Sequence, residues 1–562
     1  MTITAQLVDV ATNAPLRIAG RVVSWRDFGN SVQGSFASQV STTDVSGKAT
    51  VGYTTSTRAG ASHRILVTDA EGSAGGSDYV ITIAGPSAKY SIFVGAPVVL
   101  AGNDMPVDAY LSDINGNRVP GSGRVVTWSS SGTGGSFSVA SSPTDNAGRA
   151  TVNLRTSATG GVTHVVTAID GSGITGSTIG ILTVAGAQGI VAQTVVVGSA
   201  HSCVLDNSSM PSCWGSNESG QLGNGFKTNF PVPVPVSGTL RFVSLAAGSS
   251  HTCGISNNGE AFCWGSNSVG QLGNNLVSPG LNATPVSGSL SFVALTAGNA
   301  HTCGIVAGGA AYCWGDNGFG QLGTGTTTVI TRSFVPLAVQ GGLRFVSLSA
   351  GAGHTCGIVD GGRAYCWGSN QNGQVGNGSA ATVSMPTAVN GGLLFSVLSS
   401  GGSHTCGVAA DEAAYCWGEN RLGQLGDGSA ISRATPSRIA GAQRFTSLSA
   451  GFAHTCGLEA SGAAYCWGSN STGELGNGNG VNSRTPVPVA GNLAFASIAA
   501  GGGESSDYYF GSTRFGHTCG VTVDRTAYCW GNDGFGELGD NSAYTNQQFS
   551  FSLFPGKVGG QR

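Results

Sequence analysis

All fourteen cysteines of this 562-residue chain lie beyond residue 200 and fall into seven pairs with one spacing, and that regularity constrains the fold more than any other feature. The pairs are Cys203 with Cys213, Cys253 with Cys263, Cys303 with Cys313, Cys356 with Cys366, Cys406 with Cys416, Cys456 with Cys466 and Cys519 with Cys529. Nine residues separate the members of each pair, so the midpoint falls on a single residue such as Asn258. A three-residue hairpin loop centred there sets Cys253 opposite Cys263 on adjacent strands. Directly opposed positions in a non-hydrogen-bonded pair bring Cβ atoms to about 4.5–5.5 Å, close to disulfide geometry. An even count with every pair in register reads as a disulfide framework and hence an oxidising compartment. Zinc is the competing use of His-x-Cys followed by a second Cys. Structural zinc sites take four ligands, usually with two cysteines on a short knuckle, which these repeats do not supply. No metal is expected.

The cysteines sit in a unit that recurs about every fifty residues. In its second copy, Phe242-Val243-Ser244-Leu245-Ala246-Ala247-Gly248 leads to His251-Thr252-Cys253-Gly254-Ile255, then a turn at Asn257-Asn258-Gly259. Ala261-Phe262-Cys263-Trp264-Gly265, Gly270-Gln271-Leu272-Gly273 and a Pro/Val segment complete it. Glycine, 93 residues in all, is spread among Val, Ser, Thr and Ala, as many short strands with tight turns require. Four extended runs per unit predict a four-stranded antiparallel sheet, and seven such sheets arranged radially a seven-bladed β-propeller. The recurring His201, His251, His301, His354, His404, His454 and His517 are expected to satisfy the same backbone groups in every blade. Trp214, Trp264, Trp314, Trp367, Trp417, Trp467 and Trp530 are expected between packed blades.

The strings H-T-C-G-I, A-Y-C-W-G-x-N and G-Q-L-G-x-G, from about Ile190 to the C-terminus, resemble the regulator of chromosome condensation repeat family in its Cys-containing bacterial form. The resemblance implies the seven-bladed fold. Function stays open, because that family includes a nuclear guanine-nucleotide exchange factor, a secreted β-lactamase inhibitor and surface proteins.

The first 186 residues lack Cys and carry another pattern twice. Arg21-Val22-Val23-Ser24-Trp25 parallels Arg124-Val125-Val126-Thr127-Trp128, and Thr43-Asp44-Val45-Ser46-Gly47-Lys48-Ala49-Thr50-Val51 parallels Thr144-Asp145-Asn146-Ala147-Gly148-Arg149-Ala150-Thr151-Val152. Alternating strands with frequent turns predict β-sandwiches with Trp25 and Trp128 in their cores. The expected domains are thus an N-terminally truncated immunoglobulin-like domain (1–86), a second (87–186) and the propeller (187–562), an all-β chain throughout. The two copies resemble the bacterial immunoglobulin-like domains of invasin- and intimin-type adhesins, which implies a rod that lifts a binding head from the cell surface. Lys89–Val94 opens the second copy without an equivalent in the first, where Met1–Ala5 already aligns with Met105–Ala109. A missing first strand would expose a sheet edge, so upstream sequence, an export signal included, is expected to be absent.

Only 9% of residues are charged and four are lysine, which gives no footprint for nucleic acid or anionic lipid. No run of about eighteen apolar residues predicts a spanning helix. Neither a nucleophile–base pair, a phosphate-cradling loop nor a carboxylate pair stands out, so neither catalysis nor a cofactor is expected. The largest departure from the repeat is Gly501–Gly516, which holds Tyr508, Tyr509, Phe510, Arg514 and Phe515. Aromatics and Arg in a loop on a rigid scaffold are the chemistry of interface hot spots, and these five are the candidate partner-binding residues. A loop folded back to brace the seventh blade is the alternative. The expected function is a non-catalytic, secreted or cell-surface bacterial adhesion protein whose propeller recognises a protein or glycan. A secreted enzyme inhibitor is the competing reading, and an exchange factor is disfavoured by the paired cysteines.

Overall fold

The computed structural model describes the chain except residues 1, 7–14, 16–18, 28–34, 55–61, 64, 70–73, 77–79, 82–85, 95–96, 179, 326–329, 508–510, 542–550 and 562. Among the described residues every regular element is a β-strand, and the chain divides into two compact units, Met1–Ala185 and Gly186–Arg562.

The first unit contains two immunoglobulin-like β-sandwiches. In the second sandwich, the sheet Lys89–Val94, Asp104–Ser112, Arg149–Arg155, Ser136–Phe137 packs against Ser141–Pro143, Val125–Ser130, Val166–Asp170, Thr175–Ser177. Strict alternation along Arg149–Arg155 sends Ala150, Val152 and Leu154 into the core. Trp128 is buried there with its indole N–H donated to Ser142 Oγ at 3.0 Å, and Trp25 repeats this with Ser41 Oγ at 2.8 Å. The shared T-D-x-x-G turn has a local cause: Asp145 Oδ1 accepts from the backbone N–H groups of Ala147 and Arg149, each at 2.9 Å. Ile3 lies opposite Val51 just as Val107 lies opposite Val152. The strand Lys89–Val94, outside Asp104–Ser112, has no counterpart among the described residues of the first sandwich.

The second unit is a ring of seven four-stranded antiparallel sheets. Blade two is Phe242–Ala247, His251–Ser256, Ala261–Gly265 and Gly280–Pro285, and blade one runs from Ala192–Val197 to Phe230–Pro235. Blade seven is Phe495–Ala500, His517–Thr522, Ala527–Asn532 and Phe551–Lys557. Six blades use four strands consecutive in sequence, and blade seven does so but for the two strands inserted between its first and second, so repeat and blade share one register. Ser256 N–H bonds to Glu260 O at 2.9 Å around the loop Asn257-Asn258-Gly259, and this closes the three-residue hairpin that sets Cys253 opposite Cys263.

Every expected cysteine pair is bonded within its own blade. Cys203 bonds to Cys213, Cys253 to Cys263, Cys303 to Cys313 and Cys356 to Cys366. Cys406 bonds to Cys416, Cys456 to Cys466 and Cys519 to Cys529. The paired Cα atoms lie 4.0–4.1 Å apart, and none of the fourteen side chains is exposed. Each outer strand carries proline, for example Pro285, Pro336, Pro386 and Pro436, which cannot donate to an added strand and so blunts the open edge.

The cores lie between blades. One joins Cys253, Ile255, Cys263 and Leu272 of blade two to Phe292 and Trp314 of blade three, and equivalent clusters follow around the ring. A polar relay runs through each. His251 Nε2 lies 2.9 Å from Thr302 Oγ1 on the next blade, and that hydroxyl donates to Gln271 O at 2.9 Å, which also accepts the Trp314 indole N–H at 3.0 Å. Since the hydroxyl proton goes to the carbonyl, Nε2 must be the protonated ring nitrogen. The histidines therefore bond the neighbouring blade's hydroxyl, not the backbone groups expected from the repeat. Burial keeps them neutral: His251, His301 and His517 are pushed down to about 3, and His201, His354 and His454 to about 4. His517 of blade seven reaches Ser202 Oγ of blade one at 2.8 Å and closes the ring.

Candidate functional site

The first strand of each blade is followed by a glycine at one mouth of the central channel, where these turns line a cavity of about 80 Å³. Neighbouring turns are joined by backbone bonds such as Asn299 N–H to Gly351 O (3.3 Å), Ala352 N–H to Gly401 O (3.1 Å) and Gly502 N–H to Gly198 O (3.1 Å). Glycine is required by close approach: a Cβ at Gly298 would lie 2.3 Å from Gly351 O and 2.4 Å from His301 Cε1. Around the rim, Ser199, Ser249 and Asn299 give blades one to three a polar arc. Ala352, Gly402 and Phe452 give blades four to six an apolar one.

Because strands alternate in direction, the loops between third and fourth strands reach this same face. A buried asparagine organises each in blades one to six, and Asp533 takes its place in blade seven. Asn267 Nδ2 donates to Asn274 Oδ1 (3.1 Å), Leu276 O (2.7 Å) and Ser278 O (3.1 Å), while Leu272 N–H donates to its Oδ1 (3.1 Å). With the polar groups turned inward, Leu276, Val277, Phe319, Ile431 and Val481 are left exposed on rigidly held loops.

The blade-seven insertion rises from this rim. Gly503–Asp507 pairs with Gly511–Phe515 in its own two-stranded sheet, apart from the blade, with Glu504 opposite Arg514 and Gly503 opposite Phe515. Its root is held by blade one, through Gly502 N–H to Gly198 O, and by blade six, where Thr472 Oγ1 donates to Gly516 O at 3.2 Å. Of the candidate binding residues, Phe515 is half-buried beside Gly503 and Ser199. Arg514 is placed by its strand position alone, and Tyr508, Tyr509 and Phe510 lie outside the described residues. The sequence reading missed the Asn267-type asparagines and the Thr302-type threonines, although both recur in nearly every copy.

Among the described residues no group of three His, Cys, Asp or Glu side chains could hold a metal ion. No helix among them is long and apolar enough to cross a membrane.

The fold and its repeated interface define a seven-bladed propeller with long loops gathered at one end. The RCC1-like domain matches residues 171–506, more than half of the chain, and the chain belongs to that family. Human WBSCR16 superposes with a TM-score of 0.51 at 20% identity, over 55% of this chain and 84% of that one. Yeast RCC1 (Prp20), crystallised with Kap60, superposes with a TM-score of 0.52 at 21% identity, over 62% of this chain and 83% of that one. At these identities the likeness establishes the fold. The D0-D1 domain of intimin also matches, at 21% identity over 32% of this chain and 88% of that chain, with a TM-score of 0.15 that lends it no weight.

Proposed function

We propose that the chain is a non-catalytic, secreted or cell-surface bacterial binding protein, with the propeller (187–562) as recognition head and the immunoglobulin-like domains (1–86 and 87–186) as spacer. The observation that carries this reading is the Gly503–Phe515 hairpin, rooted at the channel mouth on the face where the loops between third and fourth strands expose apolar side chains. Seven buried disulfides favour an oxidising compartment over the cytosol. The spacer role draws on the resemblance of the T-D-x-x-G-x-A-T-V hairpins to adhesin domains. Tyr508, Tyr509, Phe510, Arg514 and Phe515 are the proposed contact residues, toward a protein or glycan.

The test compares the full chain with a variant in which residues 502–516 are replaced by the two-residue spacer Ser-Ala found between Gly198 and His201. Both are applied to a glycan array and to immobilised extracellular-matrix proteins, and both are assayed as inhibitors of a purified serine β-lactamase. Binding to the array or matrix that falls at least tenfold on shortening supports the adhesin reading. Inhibition without such binding replaces it by the inhibitor, and binding indifferent to the hairpin overturns the assigned site.

A further inference from the structure

In five blades the residue whose carbonyl receives the next blade's indole and hydroxyl is a glutamine: Gln221, Gln271, Gln321, Gln374 and Gln424. In the other two it is a glutamate. Glu474 O accepts from Thr518 and Trp530, and Glu537 O from Trp214, so the two glutamates serve the two interfaces of blade seven.

Their side chains are buried and wired almost as the glutamines are. Glu474 Oε2 accepts Thr472 N–H at 2.9 Å and Glu537 Oε2 accepts Phe535 N–H at 2.7 Å, as Gln424 Oε1 accepts Leu422 N–H at 3.0 Å. The second contact is reversed. Gln321 Nε2 donates to Asp316 Oδ2 five residues back, whereas Asn532 Nδ2 donates to Glu537 Oε1 and Ser469 Oγ to Glu474 Oε1. The Glu474 loop also carries the hairpin: Thr472 holds Gly516, and a Cβ at Gly516 would lie 2.9 Å from Glu474 Cγ and 3.2 Å from His454 Cε1.

We propose that Glu474 and Glu537 are proton-operated latches on the two interfaces of blade seven, and that proton binding at Glu474 resets the footing of the Gly503–Phe515 hairpin. Little around them offsets a negative charge. Among the described residues neither forms an ion pair with Lys or Arg. Glu474 faces His454 from blade six and the His517-Thr518 strand start from blade seven; Glu537 faces Asp533 on its own loop and, across Ser202, His517. Both histidines are held neutral by burial, and Asp533 is a like charge. Burial raises both carboxyls, Glu537 to about 8 with Asp533 adding to the effect. Either protonation state can be accommodated, because the Ser469 hydroxyl can accept as well as donate and the Asn532 amide can turn its oxygen inward. The switch is thus a rewiring of one hydrogen bond in each loop. Its meaning for recognition rests on the hairpin being the binding site; the latch itself does not.

The seven propeller indoles report on it directly. In 15N-labelled full-length protein the indole N–H peaks of Trp214 and Trp530 should move between pH 5 and 9, while the five that bond to glutamine carbonyls stay still as internal controls. Glu537→Gln should abolish the Trp214 movement and Glu474→Gln that of Trp530, each introducing the residue five blades already carry. Amide exchange in Gly503–Phe515 should change severalfold over the same range in the wild type and not in Glu474→Gln. Indoles that stay still, or that still titrate in the Gln variants, overturn the latch. Titrating indoles over an unchanging hairpin overturn its coupling to the hairpin. A hairpin dispensable for binding would leave the indole result untouched.

Discussion

The Nε2 atom of His301 lies 2.9 Å from the hydroxyl oxygen of Thr355 on the following blade, with no side-chain exposure at either residue. That hydroxyl spends its proton on Gln321 O at 2.9 Å, so the contact needs a proton on Nε2, and a second proton would charge a ring whose Nδ1 is buried without a hydrogen-bond partner. Protonation must therefore oppose the folded state. An unfolded histidine titrates near 6.5 and His301 in the ring at about 3. Between those values the unfolded chain binds the extra proton, so stability is complete above pH 6.5 and falls as pH drops toward the folded value. Each such histidine contributes up to about 1.4 kcal/mol per pH unit. The urea midpoint should fall steeply from pH 6.5 to 4.5, and a flat midpoint over that range would contradict the neutral relay.

Close approach at the channel mouth gives a second expectation. Gly298→Ala forces its Cβ to 2.3 Å from a backbone oxygen of the next blade, which cannot give way without opening the interface. A loss of about 3 kcal/mol is expected. Gly308→Ala, where a Cβ meets nothing within 4 Å but φ is +91°, should cost only about 1 kcal/mol. Urea denaturation of the two variants side by side tests the difference.

The hairpin loops between second and third strands contain correctable strain. Their third residue is left-handed, glycine at Gly259, Gly309, Gly362 and Gly462 but Ser209, Glu412 and Arg525 elsewhere, at φ +64°, +64° and +68°. Glu412→Gly should stabilise the chain by about 1 kcal/mol, because only glycine takes this conformation freely. The exposed ion pair it removes, to Arg444 at 3.8 Å, is worth little. An unchanged or lowered urea midpoint would refute this.

The disulfides are sealed by the neighbouring blade: Cys253 Sγ lies 3.9 Å from Thr302 Oγ1. Native protein incubated with dithiothreitol and iodoacetamide should gain no mass, whereas fourteen cysteines should be alkylated after denaturation. Replacing Cys303 and Cys313 by alanine should cost about 2–3 kcal/mol. Alkylation of the folded protein would mean that blades open far more readily than the relay allows.

The blades were legible because their determinants are local. A ten-residue cysteine spacing and a three-residue loop fix the pairing of His251–Ser256 with Ala261–Gly265, whatever lies beside them. The histidines were misassigned because their partners sit a whole repeat away, as Thr302 does from His251, and spacing within one unit carries no information about its neighbour. The recurrence of Thr after His and of Gln before Leu was the available signal. The insertion at Gly501–Gly516 was found as a break in the period, yet period alone could not tell a fifth blade strand from a separate hairpin. That choice depends on backbone pairing.

The contact between His517 and Ser202 has a further consequence. A linear stack of repeats frays from its ends and needs specialised terminal units, since the outermost repeat has one bare flank. Here the last blade is also a neighbour of the first, and a single broken interface leaves every blade still attached on its other side. Fragmentation then takes two simultaneous ruptures. Gain or loss of a whole repeat would likewise alter the circumference that every other joint must fit, so the copy number behaves as a property of the ring and not as a length that can drift.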